Sequence, residues 1–117
     1  MPHVILNGAI DLDQVFGELP PLFFQEQDSI LKTTDYYISK IKNNLLVETI
    51  IIEKGNKMQY FSLISKRDDG LVVRIYPGTD VPKTSNVKKI LAEIAKKILE
   101  LHPDLQIGKT NLDEFLE

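Results

Sequence analysis

From residue 29 to residue 77 the chain runs in strand-like stretches broken by short polar turns. A strand is predicted over 30–42, with a bulge or break near Thr33-Thr34. Asn43-Asn44 suits a tight turn, because Asn tolerates positive φ. Residues 45–53 are apolar on both faces: Val47 and Ile51 on one, Leu46, Ile50 and Ile52 on the other. That pattern predicts an interior strand. Lys54-Gly55-Asn56 turns the chain, 58–66 runs back, Asp68-Asp69-Gly70 turns it again, and 71–76 closes the meander before Pro77-Gly78.

Residues 3–10 alternate like a further strand. Asp11 then suits the cap of a short helix reaching Phe16 or Leu19, which Pro20-Pro21 ends. Leu22-Phe23-Phe24 reads as an apolar plug in a loop that closes one end of the core. Thr84 or Ser85 caps a helix over 86–102, in which Val87, Ile90, Leu91, Ile94, Ala95, Ile98 and Leu101 share an apolar arc. Lys89–Glu93, Glu93–Lys97 and Lys96–Glu100 are spaced for ion pairs on its opposite side. The tail holds one more short amphipathic piece with Leu112, Phe115 and Leu116. The predicted fold is therefore α+β: one domain over 1–117, an antiparallel sheet of about five strands (the meander 30–76 plus the N-terminal strand), and one long amphipathic helix packed on one face.

Composition supports a packed core, at 43% hydrophobic and 26% charged residues. The chain has no Cys, which removes disulfides, thiolate metal sites and a cysteine nucleophile. The first twenty residues lack a basic start and a long apolar stretch, so no leader and a cytoplasmic location are expected. No apolar run is long enough to span a bilayer, so no membrane partner is expected. Net charge is −3 but unevenly spread. Residues 1–31 hold five acids and no base, residues 32–102 are net +5, and residues 103–117 are net −3. Acidic ends packing near a basic middle is the plain reading. The sharper one is a basic sheet edge for an acidic partner, with Lys40, Lys42, Arg67 and Arg74 as contributors. An acidic chain argues against nucleic-acid binding.

Chemical motifs are absent. Gly108-Lys109-Thr110 ends like a phosphate loop, but Pro103 stands where its first glycine belongs and no strand precedes it. The two histidines, His3 and His102, have no spaced partners for a metal site. No serine sits in a nucleophile-elbow context. Tyr36, Tyr37, Tyr60, Phe61 and Tyr76 with Lys40, Arg67 and Arg74 superficially suggest an RNA-binding sheet, but the order of elements differs and cross-strand packing explains the aromatics. No cofactor and no metal ligand are expected, and no small-molecule ligand is nominated.

Met1-Pro2-His3-Val4-Ile5, together with Glu100-Leu101-His102-Pro103-Asp104-Leu105 followed by Asn111 and Phe115, resembles the two ends of 5-carboxymethyl-2-hydroxymuconate isomerases of the tautomerase superfamily. The resemblance implies an isomerase in which Pro2, freed by loss of Met1, acts as base through an amine of lowered pKa. The match is confined to the two ends. The middle of this chain has an additional hairpin, and the second stretch sits at a helix end rather than after a strand.

The leading expectation is a non-enzymatic binding or assembly module. A single helix covers one sheet face, and Leu46, Ile50, Ile52, Val47 and Ile51 put apolar area on both. The other face or an edge strand is then left for a partner, with self-association into a homodimer as the simplest cover. Tyr36, Lys40, Arg67 and Arg74 are the candidate interaction residues, and Pro2 is the single catalytic candidate of the alternative isomerase reading.

Overall fold

The computed structural model describes residues 1–117. Ten elements follow in order: β1 (His3–Asn7), α1 (Leu12–Glu18), β2 (Phe23–Glu26), β3 (Ser29–Ile38), β4 (Asn44–Glu53), β5 (Asn56–Arg67), β6 (Gly70–Ile75), α2 (Ser85–Leu101), β7 (Gln106–Thr110) and a 3₁₀ turn at Asp113–Phe115. The seven strands form one antiparallel sheet in the order β2-β3-β4-β5-β6-β1-β7, curled into a half-barrel.

Turn chemistry sets the register. Lys54 and Gly55 both take positive φ, 50° and 77°, the backbone of a two-residue hairpin that matches strand twist. Gly70 has φ 154°, and a Cβ there would lie 1.9 Å from the Leu6 carbonyl oxygen of β1. Only glycine lets β6 come that close to its neighbour. At Thr34 an extra residue enters β3, since Thr33 faces Thr49 and Asp35 faces Glu48. Such a bulge bends the strand and adds to the twist of the sheet.

Both helices lie on one side of the sheet. Thr84 caps α2, its hydroxyl accepting from the Val87 N–H at 3.3 Å. Leu91, Ile94, Ala95 and Ile98 of α2 join Val4, Leu6, Leu45, Val47, Leu71 and Val73 of the strands and Leu12 and Val15 of α1 in the larger core cluster. Leu31, Ile51, Tyr60 and Ile75 meet Val87 and Ile90 in a smaller one.

The predicted fold, five strands with one long helix over 86–102 packed on a face, is overturned. There are seven strands, they curl, and there are two helices. Phe23-Phe24, expected as a loop plug, belongs to β2, which folds back on β3 through Gln27-Asp28, with Gln27 at φ 45°. The tail supplies β7, which pairs with β1. Each added strand has few residues and sits at an edge, where backbone pairing rather than a buried side-chain pattern holds it. The β3–β4 connection is a loop through residues 39–43, with Lys42 at φ 61°, and not a turn centred on Asn43-Asn44. On α2 the pairs formed are Lys96–Glu93 at 3.2 Å and Lys97–Glu100 at 3.3 Å, three residues apart rather than four. Lys89 instead reaches Glu26 of β2.

Candidate interaction face

Strand parity divides each strand between two environments. On β4, Leu45, Val47, Thr49 and Ile51 point toward the helices and are wholly buried. Leu46, Glu48, Ile50 and Ile52 point the other way, onto a face that neither helix covers. The pairing register builds that open face row by row. Tyr37, Leu46, Leu63, Arg74 and His3 lie side by side across β3, β4, β5, β6 and β1. In the next row stand Asp35, Glu48 and Phe61, with Tyr76 beside them, its N–H donating to the Phe61 carbonyl at 3.0 Å.

The middle of this face is apolar and its rim is aromatic. Leu63 is only 5% exposed, whereas Tyr37 and Tyr76 are each 47% exposed and Phe61 36%. Tyr37 and Phe61 meet edge to face, with centroids 6.1 Å apart and planes at 76°. That arrangement places a ring's positive edge on its neighbour's negative face. A cleft of about 440 Å³ opens between Tyr37, Leu46, Leu63, Tyr76 and Pro77.

Arg74 and the acids Asp35 and Glu48 stand on opposite flanks of Leu63. Asp35 and Glu48 stand directly opposite each other on β3 and β4. Their oxygens accept only from neutral donors: the Tyr36 N–H at 2.8 Å and the Tyr37 hydroxyl at 3.1 Å for Asp35, the Thr34 hydroxyl at 2.5 Å and the Gln59 amide at 3.2 Å for Glu48. The hydrogen bond and negative charge of Asp35 push the Tyr37 phenol above its ordinary pKa. On the far side of Leu63, the Nε of Arg74 is closed off from solvent and has no hydrogen-bond partner. No carboxylate lies within ion-pair distance of Arg74.

The four candidate interaction residues are not brought together. Arg74 sits on the open face beside Leu63, on the flank away from Asp35 and Glu48. Arg67, on the same side of β5, is at the β5–β6 hairpin and pairs with Asp69 at 3.6 Å. Lys40 is exposed in the β3–β4 loop. Tyr36 points to the opposite, helix-bearing side, where its hydroxyl donates to the Pro20 carbonyl at 2.6 Å and shares a 2.8 Å bond with the Thr33 hydroxyl. Burial raises its pKa, while the Thr33 bond partly offsets this. The uneven charge is partly spent within the chain: Asp13 pairs with Lys42 at 3.4 Å, and Glu26 with Lys89.

Pro2 is buried at the head of β1 and joined through its nitrogen to Met1. The Met1 carbonyl accepts from the Asn111 side-chain amide at 2.9 Å. Together with Lys83, Lys88 and Asn111 these two residues border a separate cleft of about 350 Å³.

Sequence reasoning placed apolar side chains on both faces of β4, but it did not identify the residues that flank them. Tyr37, Leu63, Phe61 and Tyr76 become one patch only through the register. The available signal was parity: Phe61 and Leu63 are odd on β5, while the residues facing the helices, Tyr60, Ser62 and Ile64, are even.

No helix is long and apolar enough to cross a membrane. Compared with models of protein families, with curated proteins and with solved structures, the chain matches none.

Proposed function

We propose that this chain is a non-enzymatic binding or assembly module that works through the open face of its sheet. One observation carries the reading. Tyr37, Phe61 and Tyr76 present exposed rings around Leu46 and Leu63 on a face that neither helix covers. A contiguous apolar patch rimmed by polar groups is the usual mark of a protein-binding surface, and Tyr and Phe are enriched in the cores of such interfaces. The cationic residues do not form one stripe, so a protein surface fits the face better than a nucleic-acid backbone does.

The test is a photo-crosslinking amino acid placed at Phe61, and separately at Glu114 in the tail, both in the purified chain and in cells that produce it. Discrete adducts from position 61, with none from position 114, are expected. Equal labelling from the two positions, or none from either, would refute the open face as a binding surface.

A further inference from the structure

We infer that the occupant of the open face is a second copy of the same chain, docked with Arg74 of each copy over Glu48 and Asp35 of the other. The inference rests on the open-face reading above and names its partner. Its argument is charge complementarity across an apolar patch.

Among the charges on this face, Arg74 stands without an anion, and the facing carboxylates Asp35 and Glu48 make no ion pair. Arg74 has a buried Nε with no partner, and no carboxylate is within reach. A buried N–H without an acceptor is unfavourable, more so where the group is charged. Asp35 and Glu48 oppose each other directly, an arrangement that disfavours the sheet when both are ionised.

Within one chain these groups do not meet. Arg74 and Glu48 are two strands and one row apart, with Leu63 and Phe61 between them. The two backbones are roughly 12 Å apart, at about 4.8 Å per strand and about 6.8 Å per row, and the side chains form no ion pair across that gap.

A two-fold axis lying between two such faces removes the mismatch. When the axis crosses β5 obliquely between Leu63 and Phe61, it carries Arg74 onto Glu48 of the second copy and Glu48 onto Arg74. The same operation stacks the apolar middle of one face on the other. A two-fold contact requires a self-complementary patch, and a patch with its cation on one flank and its anions on the other meets that requirement. Guanidinium and carboxylate then pair in a site that Leu63, Phe61 and the tyrosines shield from water, where charge-assisted bonds are strong and specific.

Sedimentation equilibrium of the full chain at near-physiological salt tests this. The wild type should be dimeric at about 100 μM, and Arg74→Glu should raise the dissociation constant by roughly 30-fold or more. The exchange Arg74→Glu with Glu48→Arg should restore it to within about tenfold of wild type. Glu114→Arg, in the tail and away from the open face, should leave it unchanged. Circular dichroism checks that each variant is folded. If Arg74→Glu does not fold, Arg74→Gln takes its place and should weaken the dimer about tenfold or more.

A wild type that sediments at the monomer mass of 13.3 kDa overturns the inference. So does a dimer that ignores Arg74→Glu or is not rescued by the exchange. The two readings fail separately. A monomer that still gives discrete adducts from position 61 keeps the open face as a binding surface and removes the second copy as its occupant. A dimer that is insensitive to Phe61→Ser, in a chain that gives no discrete adducts from position 61, removes both.

Discussion

The two faces of β4 are made by the same ten residues and the same two hairpins, yet they end in different states. Leu45, Val47 and Ile51 reach zero exposure against α1, α2 and the neighbouring strands. Leu46 and Ile52, one residue away and equally apolar, remain half-buried. Ile50, also on the open side, is 8% exposed, so equal hydropathy along one strand yields a graded burial that the neighbours across and beside each residue set. The polar residues differ in the same way. On the covered face Thr49 and Ser62 satisfy each other at 2.9 Å, and Thr49 also donates to the Val47 carbonyl at 2.9 Å. On the open face Arg74 finds no such partner.

The comparison breaks most visibly at Ile94. It is fully buried and belongs to the larger core cluster. Ile94→Ala should destabilise the fold by about 2–4 kcal/mol through lost burial and a residual cavity. Urea melts that showed a loss below roughly 0.5 kcal/mol would mean that α2 does not seal this face.

Tyr60 is the weak point of the covered face. Its hydroxyl is buried with no hydrogen-bond partner, and burial, with Glu53 adding to it, raises its pKa well above 10.0. The folded chain therefore holds this proton after the unfolded chain has released it. Stability should be level below pH 10 and fall as pH rises beyond it. Tyr60→Phe removes an unpaired polar group and should stabilise the fold by about 1 kcal/mol at neutral pH. The same change should flatten the alkaline fall. A destabilised phenylalanine variant, melted at pH 7 and again above pH 10, would show that the hydroxyl has a partner in solution.

Much of the covered face was legible in the sequence, because burial on one side leaves a period. The arc from Val87 to Ile98 and the alternation in β4, β5 and β6 are direct consequences of residues packing against something. The edges were not legible. The Phe23–Glu26 strand follows two prolines and holds only two apolar residues. Gln106–Thr110 carries a glycine, a lysine and one exposed isoleucine, so its pairing with β1 leaves no alternating trace. Without those two strands a five-stranded sheet was the natural inference, and the curl was invisible. The open face was half legible: Leu46, Ile50 and Ile52 showed that it exists. The break expected near Thr33-Thr34 is the bulge at Thr34, but the grouping of Tyr37, Leu63, Phe61 and Arg74 on one face depends on hairpin register, which alternation within a strand does not fix.

The open face should respond differently from the covered one. Phe61 is partly exposed and loses little packing when shortened, so Phe61→Ser should change monomer stability by no more than about 1 kcal/mol. Its effect should fall on association instead. A loss of stability equal to that of Ile94→Ala, measured at a concentration where the chain is monomeric, would erase the distinction between the faces.

The smallest effect should be spectroscopic. Tyr37 stands at the rim of the open face, and its hydroxyl donates to Asp35 at 3.1 Å. The carboxylate accepts that proton's hydrogen bond and repels the phenolate, so both influences hold the phenol above its ordinary pKa of 10.0. Asp35→Asn removes the charge and weakens the acceptor. The Tyr37 resonance should then titrate at lower pH, moving toward 10.0, while Tyr60 keeps its high value, because burial and not Asp35 sets it. Ring-labelled tyrosine followed by NMR through the alkaline range separates the two. If both tyrosines moved together, the substitution would be acting through the fold as a whole. If Tyr37 did not move, its hydroxyl would lie away from Asp35 in solution, and the anionic flank that the Arg74 pairing requires would be arranged differently.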